Sequence, residues 1–441
     1  MPTGSDFHHT LVRMDPHRIA CARAPLHGEL RAPPSKSATH RALFLAALAD
    51  GDSSIVGPLD SEDTRASIDA VRGFGAEVRE RPGAWSVTGF GGSPRGAGRL
   101  DLRESGTTMR FAAALAALAR EPTRLEGRGR LGSRPMTELY SAIEALGGRV
   151  ERAPGGAALP ATIAGPLSGG RSVRVAGDRS SQFVSALLTV APRIPGGLLV
   201  EVATPLVSAD YVALTREALE RFGIEVEEPA ANAWRVRPAS FAGREVHIEG
   251  DWSSASCLLT APAIVGGRLT VTGLRGGSLQ PDRAIVELLR AAGCRVWERH
   301  EEVEVGGDGR VGGFEFDLGG RPDLAPAGAV LMLFAEGPAA LRNVAHLRHK
   351  ESDRFEVLRA ALTALGRRVR VDGDDLVADR GARPGDLSGA RVQTASDHRI
   401  AMAFAVAGLR LAGVELDDRA CVAKSYPGFW TDFARLGGQN W

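Results

Sequence analysis

Lysine is nearly missing from this 441-residue chain. Of 54 basic residues only three are lysine, Lys36, Lys350 and Lys424, which leaves 51 arginines. Charge of either sign is not in excess: the net charge of +1 gives no case for nucleic acid or an anionic membrane surface as partner. Cysteine is scarce as well. Cys21, Cys257, Cys294 and Cys421 make no CxxC pair and no zinc-ligand spacing with histidine, so no metal site is expected. Cys257 and Cys294 sit in apolar helical runs and read as small core residues of a protein in a reduced, cytoplasmic compartment. No stretch reaches the roughly 18–20 apolar residues of a membrane-spanning helix. Met1–Thr10 is polar and lacks the apolar core of a secretory signal, and residues 1–14 are expected to be a disordered extension. Pro33-Pro34-Ser35-Lys36-Ser37 has no Gly-x-x-x-x-Gly frame, and no Gly-x-Gly-x-x-Gly turn follows a strand. Phosphates are therefore expected as ligands, and nucleotides are not.

What is present is a repeat. Phe74-Gly75, Leu146-Gly147, Phe222-Gly223, Ala292-Gly293 and Leu365-Gly366 each lead, three residues after the glycine, to a valine. These glycines are 72, 76, 70 and 73 residues apart, and Leu436-Gly437 is a degenerate sixth copy 71 further on. An amphipathic helix before each glycine and an alternating strand after it, as in Cys294-Arg295-Val296-Trp297, explain the phrase. A second series marks the start of another helix: Ser37, Gly106, Ser181, Ser254, Gly328 and Asp397 open apolar runs 38–49, 107–119, 182–190, 255–263, 329–335 and 398–411. Six units of ~70 residues exceed a single core and suit two domains of three units each.

Chemistry collects at those helix starts. A helix N-terminus offers unpaired N–H groups and about half a positive charge, which suits phosphate and carboxylate. Ser35-Lys36-Ser37 with Arg41, Ser105-Gly106-Thr107-Thr108 and Ser180-Ser181-Gln182 read as anion sites. Ser253-Ser254, with only Arg244 for a nearby cation, reads as simple capping. Arg354, at the end of Lys350-Glu351-Ser352-Asp353-Arg354, is expected to be free to grip a ligand carboxylate with both prongs of its fork. Asp323, between Pro322 and Pro326, reads as a rigidly held carboxylate, either a general base or a helix cap.

Taken in order, these motifs resemble the enolpyruvyl transferases, and within them the family that acts on shikimate 3-phosphate. The residues that carry the resemblance run from Pro34-Ser35-Lys36-Ser37 with Arg41, through Ser105 to Arg110, Arg134-Pro135-Met136, Gly177-Asp178 with Ser180-Ser181-Gln182-Phe183, Arg342-Asn343, Lys350 to Arg354 and Asp397-His398-Arg399, to Lys424-Ser425-Tyr426-Pro427. All three lysines lie in these blocks.

The resemblance implies an α/β fold of two inside-out domains, each three βαβαββ repeats with helix N-termini facing the interdomain cleft. The expected domains are 15–33 plus 250–441, and 34–249, with the crossings near Pro33 and Glu249. The implied reaction joins phosphoenolpyruvate to the 5-hydroxyl of shikimate 3-phosphate without cofactor or metal, in a protein expected to be monomeric. By the same resemblance Lys36, Ser37, Arg41, Ser180, Ser181, Gln182, Ser208, Asp323, His346 and Lys350 would hold shikimate 3-phosphate. Lys36, Gly106, Arg134, Gln182, Arg354, Arg399 and Lys424 would hold phosphoenolpyruvate. Asp323 would be the base, and either Glu351 or Lys36 the group that delivers the proton to the methylene carbon.

Three positions depart from the family pattern. Glu104 replaces a common asparagine, a change expected to touch only the edge of the phosphoenolpyruvate loop. His346 also replaces an asparagine, and Phe111 a proline or leucine. The sister family that acts on a UDP-amino sugar uses a cysteine in the stretch matching Glu121 to Arg134, where this chain has none. A purely anion-binding paralogue would gain nothing from Asp323 and Glu351 beside its anions.

Overall fold

The computed structural model describes residues 17–437 except Arg171 and Pro384. The expected extension, residues 1–14, lies outside the described residues. Within them the repeat is structural. In chain order strand Leu26–Arg31 precedes the first unit's helix Lys36–Leu48, strand Asp52–Val56, helix Glu62–Phe74 and hairpin strands Glu77–Arg81 and Ala84–Thr88, the βαβαββ order. Gly75, Gly147, Gly223, Gly293 and Gly366 close their helices with φ between 79° and 115°. Side chains are disfavoured in that left-handed region, which is why glycine marks the repeat.

Five four-stranded sheets share one order. In the second unit Gly98–Asp101 lies parallel to Thr123–Glu126, and the antiparallel strands Ala161–Ala164 and Arg149–Arg152 follow. The first and fourth units take their leading strand from elsewhere in the chain. Leu26–Arg31 lies parallel to Gly267–Thr272, and Glu245–His247 lies parallel to Asp52–Val56. The chain therefore crosses twice at one place, where Ser35 N–H donates to Glu249 O at 2.8 Å and Asp251 N–H donates to Pro33 O at 2.7 Å. Two hydrophobic cores result, one drawn from 19–32 and 252–436, the other from 42–246.

The sixth unit departs from the pattern. After Glu415–Leu416 the chain forms a 3-10 turn, Ala420–Lys424, and a helix, Phe429–Gly437, in place of a hairpin. The antiparallel neighbour is supplied by His17–Arg18.

The two helices of a unit differ in kind. Second helices are amphipathic: Glu62–Phe74 buries Ile68, Val71 and Phe74 and exposes Glu62, Arg65, Asp69 and Arg72. First helices are apolar nearly all round. Every residue of Ala325–Phe334 and of His398–Gly408 is buried. A helix without a polar face must be covered on all sides, so it runs through the core and only its polar first turn is left for chemistry. Among the described residues no helix is long and apolar enough to cross a membrane.

Several boundaries differ from expectation because the cap lies upstream of the residue chosen. Ser35, not Ser37, caps the first helix through Ala38 N–H at 3.3 Å, and Asp251 caps the fourth through Ser254 N–H at 2.7 Å. The fifth starts at Ala325 rather than after Gly328. The expected helix 255–263 is two, Trp252–Leu259 and Ala261–Val265, divided just before Pro262, whose ring nitrogen cannot donate. Cys294 lies just past helix Ile285–Ala291 rather than within it, and is still buried.

Candidate active site

A polar cleft lies between the two cores. One wall carries Lys36, Ser37, Thr107, Arg110, Arg134, Arg179, Ser180, Ser181, Gln182, Ser208 and Tyr211. The other carries Asp323, His346, His349, Lys350, Glu351 and Arg399. Most of the expected residues thus meet in one place although they come from five of the six units. Four of them, Arg41, Gly106, Arg354 and Lys424, stand behind the lining.

Arg41 is buried behind Ser37 and Tyr211. Its Nε donates to Thr215 Oγ1 at 2.9 Å, Nη1 to Ser37 O at 3.0 Å and Nη2 to Tyr211 O at 3.0 Å. It fixes two lining residues and does not itself face the cleft. Gly106 opens its helix directly beneath two guanidinium groups. A Cβ there would sit 2.1 Å from Arg134 Nη1 and 2.6 Å from Arg110 Nη1, so no side chain fits without displacing them.

Arg354 is not the free fork expected. It is fully buried, and three carboxylates hold it: Nε donates to Asp397 Oδ2 at 2.9 Å, Nη1 to Asp323 Oδ1 at 2.8 Å and Nη2 to Glu351 Oε2 at 2.8 Å. Burial alone would lower its pKa, but Asp397, Glu351 and Asp323 raise it instead. Arg354 is the hub that sets the spacing of the acidic groups.

Lys424 Nζ donates to Glu104 and, at 3.0 Å, to Ser396 O. Burial would lower the ammonium's pKa, but Glu104 outweighs burial and raises it. Glu104 is therefore more than a change at the edge of a loop, because it occupies one of the three lysines. Lys36 is paired as well, with Asp63 Oδ2 at 2.8 Å.

The first-helix N-termini divide into those closed by the protein's own acid and those left open. Asp251 caps the Trp252–Leu259 helix and also accepts the Lys36 N–H at 2.8 Å, which links the two cores at the crossing. Asp397 accepts from Arg399 N–H at 3.0 Å at the start of His398–Gly408. The reading of Ser253-Ser254 as caps without a cation does not hold: Asp251 is the cap, and Ser253 Oγ accepts from Arg399. Gly106–Ala116 has only the Ser105 hydroxyl as cap, and Gln182–Val190 has no side-chain cap from Ser181. Those two helix ends keep their attraction for an outside anion.

Both acidic groups in the lining are held ionised. Burial would raise the Asp323 carboxyl, but Arg399, Lys350 and Arg354 override it and hold it well below the usual carboxylate range. Burial likewise works against Glu351⁻, and Arg134 and Arg354 override it to hold Glu351 well below that range. Burial, opposed by Asp323 and reinforced by Arg354, lowers Lys350. His346 lines the cleft as a neutral ring, pushed down to about 4 by burial and then by Lys350.

Comparison with known proteins gives the family of the chain. Residues 21–433 match the family model described as EPSP synthase (3-phosphoshikimate 1-carboxyvinyltransferase). The chain belongs to the EPSP synthase family. Relatives named 3-phosphoshikimate 1-carboxyvinyltransferase include that of Methanosphaerula palustris, 39% identical over 417 residues, covering 94% of this chain and 97% of the relative. Another, from Methanopyrus kandleri, is 42% identical over 423 residues, covering 93% and 96%. A solved EPSP synthase from Acinetobacter baumannii superposes with a TM-score of 0.78 over 95% of this chain and 98% of that one. At 24% identity that likeness speaks for the two-domain α/β fold alone.

Several residues of this EPSP synthase family cleft escape sequence reasoning. Asp63 follows the cap Ser61 and looks like an ordinary acidic first turn. Arg110 and Arg179 line the cleft beside residues that were singled out. Tyr211 had one signal, the rarity that also marked lysine, since the chain has only three tyrosines.

Proposed function

We propose that this chain transfers the enolpyruvyl group of phosphoenolpyruvate to the 5-hydroxyl of shikimate 3-phosphate, releasing phosphate, on the route to chorismate and the aromatic amino acids. Family membership supports the reaction. One structural observation supports its mechanism: a wall of cations, hydroxyls and helix tips without a carboxylate in its lining faces a wall that holds both Asp323 and Glu351.

In this reading Ser180, Ser181, Gln182, Ser208, Lys36 and Ser37 hold shikimate 3-phosphate, with Arg41 setting Ser37. His346 and Lys350 complete that site. Arg134, Arg399, Lys36, Gln182 and the N–H groups at Gly106 hold phosphoenolpyruvate, and Lys424 joins them once it leaves Glu104. Arg354 acts from behind, through the carboxylates it spaces. Fixed donors in a recess sheltered from water stabilise developing charge better than water does.

Asp323, already ionised, takes the proton of the 5-hydroxyl as its oxygen attacks C2 of phosphoenolpyruvate. Glu351 must deliver a proton to the methylene carbon, and the cations beside it oppose that. The substrate's carboxylate and phosphate offset Arg134 and Arg354, so its arrival raises the proton affinity of Glu351, which takes up one proton from solvent before the step and returns it after product release. After the tetrahedral intermediate forms, Glu351 recovers a proton from the new methyl group and phosphate departs.

We take 15–33 with 250–441, and 34–249, as domains that close on the first substrate. We take a monomer as the working unit, since one chain supplies both walls. The test is phosphate release measured with shikimate 3-phosphate, and separately with a UDP-amino sugar, as acceptor. Release with the first acceptor alone is expected. Release with the sugar alone would overturn the reading.

A further inference from the structure

Asp282 is a buried acid that the mechanism above leaves unused. It is 2% exposed, in the 3-10 turn Pro281–Ala284 that leads into helix Ile285–Ala291. Tyr211, from the opposite core, brings its hydroxyl to 3.0 Å from Asp323 Oδ2 and 3.2 Å from Asp282 Oδ2. A phenol has a single proton to donate. It satisfies only one carboxylate at a time, so the two acids lie on one hydrogen-bonded line through the phenol, and whichever is left without its proton has a raised affinity for one. Asp282 Oδ1 makes no hydrogen bond, so full ionisation would leave a buried charge poorly solvated.

We propose that Asp282, acting through the Tyr211 hydroxyl, stores the proton that Asp323 removes from the acceptor alcohol; this rests on the enolpyruvyl-transfer reading. The O–H bond of the 5-hydroxyl breaks as its oxygen bonds to C2, and the proton passes to Asp323. Asp323 hands a proton to Tyr211 Oη while the Tyr211 O–H proton passes to Asp282 Oδ2. Asp323 is again a carboxylate, Tyr211 is unchanged, and Asp282 holds the one extra proton. On elimination the proton returns by the same two hops to Asp323, which passes it to the departing phosphate oxygen; it leaves as hydrogen phosphate, so no net proton is gained.

The surroundings set the direction of transfer. Asp282 is pushed up to about 7, first by burial and then by Asp323, with Asp251 adding to the rise and Arg399 opposing it. Asp323 is held well below the usual carboxylate range, so a proton shared between the two rests on Asp282. Burial, followed by Asp282 and Asp323, raises the Tyr211 phenol well above its ordinary value. Tyr211 therefore passes protons on without becoming a phenolate.

The test compares the wild type with Asp282→Asn and Tyr211→Phe. Wild-type kcat is expected to rise with pH through about 7, as Asp282 ionises and becomes able to accept. Asp282→Asn should remove that inflection and lower the plateau about tenfold, less than the ~10²–10⁴ of a direct base. KM for shikimate 3-phosphate should change less than about twofold, because only the transition state uses the relay. The double variant should lose no more than Tyr211→Phe alone. An active wild type whose inflection and plateau survive Asp282→Asn overturns the relay and leaves the function standing, whereas a wild type that releases no phosphate overturns both. An infrared readout is independent of turnover: a protonated-carboxyl band should titrate near neutrality and vanish in Asp282→Asn. Its absence from the wild type would overturn the proposal.

Discussion

The wall of the cleft built from 34–249 presents Lys36, Arg134, Ser180, Ser181 and Gln182, and among the described residues no carboxylate lines it. The wall built from 250–441 presents Asp323 and Glu351 among Lys350, His346 and Arg399. Both halves fold from the same repeat, with a buried helix aiming its first turn at the cleft, so the architecture alone does not produce the difference. It comes from what closes each helix tip. In the first half the tips at Gly106 and Gln182 are left to hydroxyls and backbone. In the second, Asp251 and Asp397 close the tips, and Arg354 gathers Asp397, Asp323 and Glu351 around itself. One wall has no acid among its lining residues and is suited to binding anions, while the other adds the proton-exchanging acids to its binding cations, and substitutions should separate the two roles.

The largest effect should come from the acidic wall. Asp323→Asn is expected to lower kcat by ~10²–10⁴ while KM for shikimate 3-phosphate moves only a few-fold, a split visible in steady-state phosphate release. Gly106→Ala, on the binding wall, should do the reverse. The new Cβ displaces Arg134, and KM for phosphoenolpyruvate should rise about tenfold, since a misplacement of ~1 Å can cost up to 10²-fold.

A stability measurement addresses the same contrast. The folded pKa values of Asp323 and Glu351 lie well below their ordinary values. Their stabilising contribution is therefore present above pH ~4 and is lost as the pH falls through the folded values. Thermal melting should drop as the pH falls below ~4, and drop less in the Asp323→Asn/Glu351→Gln double variant. The smallest effect should follow Glu104→Asn, which frees Lys424 from its ion pair. KM for phosphoenolpyruvate should then fall by about 1.4- to fivefold, the ~0.2–1 kcal/mol range of a partly exposed pair.

What could be read from the chain follows the same physics. The repeat was legible because only glycine is comfortable at φ near 90°, and the regular spacing of such glycines is written in the residues themselves. The positions of Lys36, Ser181, Asp323 and Lys350 were legible because hydroxyls, cations and prolines at helix starts are local signals. Helix starts were misplaced by two or three residues where the cap was Ser35 or Asp251, since several polar residues in a row compete for one role. Arg354 was placed in the correct cluster but given the wrong freedom: three carboxylates from three segments converge on it, and nothing local announces them. Asp63, Tyr211 and Asp282 escaped for the same reason, because each gains its meaning from a partner 27 to 112 residues away.

The central claim is that the carboxylates that exchange protons with the substrates stand on the 250–441 wall, while the 34–249 wall meets the substrates with cations, hydroxyls and helix tips. A crystal structure of the chain with shikimate 3-phosphate and inorganic phosphate bound tests it most directly. The account predicts both anions in the cleft, the sugar phosphate against Ser180, Ser181 and Lys36, and the 5-hydroxyl within hydrogen-bond reach of an Asp323 carboxylate oxygen. A 5-hydroxyl turned away from Asp323 toward the 34–249 wall, or anions seated outside the cleft, would contradict it.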